Sequence, residues 1–332
     1  MTDIDFSTPY WLISYYHVIG TVSLMFDTFS IYLVLFKSSK IDNFRYFLLN
    51  FQIACSFTDI HITFLMQPVP LYPLMAGYAL GFMPTHFGTT LHTCITIVIF
   101  FYIYQVASMI ICFLRKHQAI ARTLKARKIP GFLVYSLSAF LITYTLSVVG
   151  IYYSTSVPEP EKLEFVAKNL PEYLSDFRSL PNFSIYQANF YLLIMVIISV
   201  TGGILAFIFL VIILINIFRM LNILKTKISV SNYQKHRAAI RSLIAQFATS
   251  SVCFLPPISL VFVVFLELPY PQVIVEVLLV IACLHSSLNV IVLVITFPPY
   301  RKFVIAVICR REIADNGRVS SKPSVVVVSN LS

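Results

Sequence analysis

A chain of 332 residues is long enough for two soluble domains, but 58% hydrophobic, 15% aromatic and only 11% charged residues exclude a surface covered by water. The formal charge of +10 does not make it a nucleic-acid binder, because its 24 Lys and Arg stand between long apolar runs rather than along one amphipathic surface. Lipid is the solvent this composition requires.

A spanning helix needs roughly 20 mostly apolar residues. Seven stretches meet that length, at about 11–36, 46–66, 85–114, 131–152, 187–218, 242–266 and 272–297. The first ten residues carry no Lys or Arg and the first apolar run is long, so it reads as a retained span rather than a secretory signal. Of the Lys and Arg, 21 fall in the segments after spans one, three, five and seven, and only Lys162, Lys168 and Arg178 fall on the other side. The positive-inside rule makes the 21-residue side cytoplasmic. The expected fold class is therefore an all-α membrane protein, a seven-transmembrane helix bundle with its N-terminus extracellular and its C-terminus cytoplasmic.

Ionisable groups at membrane depth are costly, and each is a candidate for function. On the first span Asp27 lies about 24 Å from the outer end, and on the second Asp59 lies about 20 Å from the inner end, at 1.5 Å per residue. His285, Ser286, Ser287 and Asn289 reach similar depth on the seventh, and they supply partners if the bundle brings spans one, two and seven together. Asp27, Asp59, His285 and Asn289 then form a buried polar switch or a cation site; the competing reading is static hydrogen-bonded glue.

The third span opens with His86, Thr89, Thr93, Thr96 and Phe100, stepping by three and four residues along one helical face. That polar stripe points into the bundle as a ligand pocket, or it is packing in which each Thr bonds its own helix. Glu267 and Glu276 flank the start of the seventh span and suit cationic ligands, or simply a helix N-terminus. The acidic connection of about 153–186 is too long for a turn and either folds over the outer mouth or only solvates it. It contains the sequon Asn182-Phe183-Ser184, a glycosylation candidate at Asn182; another, Asn330-Leu331-Ser332, falls on the inner side.

After the last span, residues of about 299–311 read as a short amphipathic helix on the inner leaflet, in contact with membrane lipids, with Cys309 a candidate for acylation. The tail 312–332 is polar, without helical periodicity, and expected to be disordered. Catalysis finds no support. The seven His have no metal spacing, no nucleophile elbow or Walker loop appears, and no cofactor or metal is expected.

Asn50 to Ile62 (NFQIACSFTDIHI), Leu71 to Gly81 (LYPLMAGYALG), Arg115-Lys116-His117-Gln118-Ala119 and Pro298-Pro299-Tyr300-Arg301-Lys302-Phe303 together resemble nematode serpentine chemoreceptors, closest to the class H and class I branch. The resemblance runs from the first span to the Arg-Lys after the seventh. It implies a chemosensory G-protein-coupled receptor in the plasma membrane of sensory neuron cilia, with an external small molecule as ligand and a heterotrimeric G protein as partner. That partner would face Arg115, Lys116, His117, Arg237, Arg241, Arg301 and Lys302. Cys253-Phe254-Leu255-Pro256 is similar to the Cys-Trp-x-Pro bend of rhodopsin-like receptors, which makes Phe254 and Pro256 a candidate helix-six pivot. Their Asp-Arg-Tyr motif is absent, and Asn289 lacks the Asn-Pro-x-x-Tyr context. The alternative from the mid-membrane carboxylates is a ligand-gated channel or transporter, against which the lack of repeat symmetry speaks.

Overall fold

The computed structural model describes residues 4–38, 44–126, 129–187, 189–253 and 268–319, with 252–253 and 310–319 as backbone alone. Helix α1 (Tyr10–Tyr32) continues through a π-helical turn to Lys37, and α2 (Phe44–Ile60) through a second one to Met66. A hairpin of β1 (Pro68–Leu71) and β2 (Ala76–Ala79) leads to the short α3 (Phe82–Phe87), then α4 (Leu91–Thr123) and α5 (Gly131–Tyr153). The long connection folds as α6 (Glu159–Asn169), α7 (Leu174–Ser179) and β3 (Ser184–Ile185). The chain closes with α8 (Phe190–Lys227), α9 (Val230–Cys253), α10 (Pro271–Cys283), α11 (His285–Thr296) and α12 (Pro298–Val319).

Among the described residues six helical stretches are long and apolar enough to cross a membrane: Tyr10–Lys37, Phe44–Met66, Leu91–Thr123, Gly131–Tyr153, Phe190–Lys227 and Pro271–Thr296. The span expected at 242–266 is described only as far as Cys253. Phe254, Pro256 and Glu267 lie outside the described residues, and so does the tail beyond Val319. At 38 residues α8 is about 57 Å long, well beyond a hydrocarbon core of roughly 30 Å, so its basic last turn projects past the apolar layer.

The bundle closes on itself. Helix α2 packs between α1 and α4; α4 also meets α5, α8 and α9; α11 returns to α9 and α1. Close approach of the first two helices depends on Gly20, where an added Cβ would stand 2.6 Å from the Thr63 hydroxyl. Van der Waals packing of small residues is what draws helices together where lipid tails are as apolar as leucine. Outward, α5 and α8 present Phe132, Tyr135, Phe140, Leu193, Ile204 and Phe207, all exposed. Helices apolar all round, with large apolar side chains left uncovered, are faces for lipid rather than for water.

One end of the bundle carries a folded cap. Strands β1, β2 and β3 form a three-stranded antiparallel sheet in that order, with Pro68 opposite Ala79 and Gly77 opposite Ser184. Pro68 and Pro70 occupy the edge strand, where a missing N–H breaks no ladder. Ile4, Val69, Leu71, Tyr78, Val166, Phe177, Phe183 and Ile185 make a buried core of the cap's own. The N-terminal segment is stitched into it: Asp5 N–H donates to Gln272 Oε1 at 3.1 Å, and Gln272 Nε2 returns a bond to the Asp5 carbonyl at 2.8 Å. Of the two readings of the 153–186 connection, folding over the mouth is the one the structure adopts.

Two expected elements are interrupted. The third span does not begin at 85 as one helix: Gly88 at φ 62 ends α3, and Thr90 starts α4 by accepting from Thr93 N–H at 3.3 Å. A left-handed Gly followed by a Thr N-cap is a stop and a start, and it overrode the apolar periodicity. The seventh is divided at Leu284, beside the polar run His285-Ser286-Ser287.

Candidate functional site

Midway along the bundle, polar side chains from five helices meet in a buried layer. Asp27 on α1 is 1% exposed and Asp59 on α2 is 2% exposed, values at which a carboxyl needs partners. Ser286 on α11 donates to Asp27 Oδ1, and Ser23 shares a hydrogen bond of 2.8 Å with Ser287. The Ser23 and Ser286 hydroxyls also lie close to the Asp59 carboxyl, and that of Ser56 to Asp27. The structure thus brings spans one, two and seven together, the condition on which Asp27 and the serines pair.

The layer extends towards the basic end. Ser30 donates to Gln52 Oε1 at 3.4 Å, Gln52 Nε2 to Gln246 Oε1 at 3.2 Å, and Gln246 Nε2 to Ser242 at 3.1 Å. Thr296 donates to the same Ser242 at 2.9 Å, and Ser250 meets His285 Nε2 at 3.1 Å. On the α4 side Gln105 donates to Thr58 at 2.9 Å. Asn289 Nδ2 makes a long contact of 3.8 Å to Cys55 Sγ. Among the described residues, Asp27 Oδ2, Asp59 Oδ2, Gln105 Oε1, His285 Nδ1 and Asn289 Oδ1 are buried without a hydrogen-bond partner. Among the described residues the one ion pair is Lys162–Glu159, so no cationic side chain balances either carboxyl. A buried network with several open valences is poorly satisfied as it stands. Gln52, Gln105, Gln246 and Ser250 were missed from sequence because a lone amide or hydroxyl in an apolar run reads as self-satisfied.

Where cap meets bundle, His92 was also missed. It is 2% exposed and stacks on the Tyr152 ring at 4.6 Å. Its Nδ1 lies 3.3 Å from Tyr186 Oη, its Nε2 3.2 Å from the Tyr153 carbonyl, and its backbone N–H donates to Ser184 Oγ at 3.0 Å. Tyr152 and Tyr186 share a hydrogen bond of 2.6 Å between their hydroxyls. One histidine therefore couples α4, α5 and the strand that closes the cap. Burial pushes the Tyr186 hydroxyl upward from its ordinary pKa, with the Tyr152 bond opposing that shift. Lys162 reaches the same region buried, donating to the Phe183 carbonyl at 2.8 Å and pairing with Glu159.

The expected polar stripe does not form one face. His86 is exposed on α3, stacked on Phe82 at 4.3 Å, and Thr89 falls in the link before α4. Thr93 and Thr96 are half-buried on α4, where Thr96 donates back to the His92 carbonyl at 2.8 Å. Glu276 is buried on α10, on the side of Tyr16. Asn182 adopts φ 49 and its Nδ2 donates to the Pro84 carbonyl at 3.2 Å, tying the cap to α3.

At the other end the basic residues cluster. Lys37 lies 4.4 Å over the Phe303 ring, Arg115 4.7 Å over Phe47 and Lys116 4.8 Å over Phe44, so aromatic faces take the place of carboxylates. Arg115, Arg237, Arg241, Arg301 and Lys302 are exposed, whereas Lys116 and His117 are buried and do not present themselves to a partner. The Lys116 side chain reaches the Phe44 ring at the start of α2. Tyr300, wholly buried, bonds Ser38 at 2.6 Å and holds α12 to the end of the first helix. Cys309 is exposed on α12.

Comparison with curated proteins finds no match. Among solved structures the chain is similar to the crystal structure of squid rhodopsin, with a TM-score of 0.55 at 14% identity over 98% of this chain and 95% of that one. At that identity the likeness establishes the helix-bundle fold and no more. Residues 2–304 match the family described as serpentine type 7TM GPCR chemoreceptor Sri, as the resemblance in the Pro-Pro-Tyr-Arg and neighbouring motifs implied. The bundle, its buried polar layer and this match across nearly the whole chain make the protein a multi-pass membrane protein that belongs to the Sri family of serpentine seven-transmembrane chemoreceptors.

Proposed function

We propose that the chain is a chemosensory receptor that detects an external small molecule and signals to a cytoplasmic heterotrimeric G protein. The capped end faces outward and the basic end inward, as the distribution of Lys and Arg requires. The plasma membrane, at sensory neuron cilia, is the site at which such a molecule is met. The ligand binds beneath the cap, against Thr93 and Thr96 on α4 and Glu276 on α10, with His86 and Thr89 at the rim. Its differential affinity for two arrangements of the bundle shifts their populations. Exposed Arg115, Arg237, Arg241, Arg301 and Lys302 meet the G protein, and an acyl chain on Cys309 holds α12 to the membrane.

One observation carries this reading. Among the described residues, the polar layer joining α1, α2, α4, α9 and α11 between cap and basic end has unpartnered buried atoms on four of those helices. It is the element that two helix arrangements would satisfy differently. A ligand-panel assay in heterologous cells with a G-protein readout tests it. Thr93→Ala with Thr96→Ala, and separately Glu276→Gln, are expected to weaken the response at least ~10-fold, about the cost of one hydrogen bond to a charged group, with surface expression retained. Ligand-driven current in cells lacking G-protein function would overturn the receptor reading in favour of a channel.

A further inference from the structure

Three of the basic residues proposed above to face the G protein also converge on one cavity. Arg237 and Arg241, four residues apart on α9, stand on one face of that helix, and Arg301 lies in the first turn of α12. All three line an open cavity of about 300 Å³ between α9 and the junction of α11 with α12, together with Gln234, Ile295 and Thr296. That volume is at the lower end of the range of small-molecule sites. None of the three guanidinium groups pairs with a carboxylate among the described residues. Nor, among the described residues, does any of them lie over an aromatic ring, as Lys37, Arg115 and Lys116 do at the same end.

Three like charges turned into one cavity repel one another, and nothing described in the protein relieves the repulsion. An anion does. A phosphomonoester suits the site better than a carboxylate, since it brings close to two negative charges and three acceptor oxygens, enough to engage guanidinium forks from two separate elements. The exposed Gln234 amide adds a neutral donor at the rim. We infer that this cavity is a binding site for a phosphomonoester group, carried by a membrane lipid headgroup or by a soluble phosphate compound, which bridges α9 and α12. The lining of two elements by one ligand would tie the cavity's walls together. Diffuse attraction to an anionic leaflet, by contrast, would draw on every surface Lys and Arg equally.

The test uses the full chain in phosphatidylcholine nanodiscs, alone or doped with phosphatidylinositol bisphosphate or with phosphatidylserine, and in parallel with soluble inositol trisphosphate. Bound lipid is counted by native mass spectrometry and affinity is read from titration. One bisphosphate lipid or one trisphosphate per chain is expected, and combined Arg237→Gln, Arg241→Gln and Arg301→Gln should weaken it at least ~10-fold, as loss of charge-assisted bonds implies. Lys225→Gln with Lys227→Gln, exposed at the same end but outside the cavity, should change it less than about twofold, the scale of one screened surface charge. Arg241→Gln alone is measured beside the triple variant, with thermal unfolding of each, so that a loss of folding is recognised. Binding of the lipid but not the soluble compound assigns the site to a headgroup; equal binding of both assigns it to free phosphates. Equal weakening by the lysine pair, phosphatidylserine binding as tightly, or no binding of either probe would overturn the site. None of these measurements involves a chemical ligand or a G protein, so their failure leaves the chemoreceptor reading standing.

Discussion

Asp27 shows how a single residue's environment is decided by its partners. An aspartate in mid-helix, away from water, is costly unless hydroxyls or amides face it, and Ser286, from a helix more than 250 residues away in the chain, supplies one. Ser286→Ala should therefore cost about 1–3 kcal/mol, the penalty for leaving a buried acceptor unmet, whereas Ser286→Thr should stay near wild type. Thermal unfolding in detergent measures both, and an unchanged midpoint for the alanine variant would show that Asp27 takes its bond elsewhere. His92 makes the complementary point. From sequence it is one more histidine near the end of an apolar run, while in the fold it is the junction of α4, α5 and the cap.

Among the elements, the cap has the most distinct energetics. Its helices α6 and α7 are amphipathic and short, and they are stable only because their apolar faces close on the sheet of β1, β2 and β3 and on the N-terminal segment. Phe177 is wholly buried at the centre, touching Phe6 at 5.3 Å and Phe183 at 5.1 Å between ring centroids. Phe177→Ala should cost the cap about 3–5 kcal/mol, as large-to-small core changes do. Hydrogen exchange is expected to speed up across 159–185 while α1 and α4 keep their protection. Uniform loss of protection would mean that cap and bundle unfold as one unit. The cap's contact with the bundle also depends on Gly81, where an added Cβ would come within 2.5 Å of the Leu65 backbone, too close for any side chain.

For the molecule as a whole, charge and hydrophobic length set the arrangement in the membrane. An epitope after Met1 should be accessible on intact cells, and one after Ser332 only after permeabilisation, because the 21 Lys and Arg in the segments after spans one, three, five and seven resist translocation. Accessibility of both on the same face would defeat the orientation and with it the assignment of ligand and G-protein sides.

The apolar spans and the asymmetry of charge were legible from the sequence because both are local: a run of some 20 apolar residues must be buried in lipid whatever its neighbours. The candidates Asp27, Asp59, His285 and Asn289 were legible for the same reason, as polar atoms where none is cheap. Tertiary structure alone decided their partners, since Gln52 meeting Gln246 or Ser23 meeting Ser287 depends on which helices lie side by side. It also decided that Lys116 is buried beneath Phe44, and that the stripe begun at His86 divides at Gly88. The Gly and Thr that cap the two helices there were present in the sequence, but an apolar period running through them concealed the break. The folded cap was the least legible part, because its strands are two to four residues long and acquire a hydrophobic core only when segments from three parts of the chain assemble.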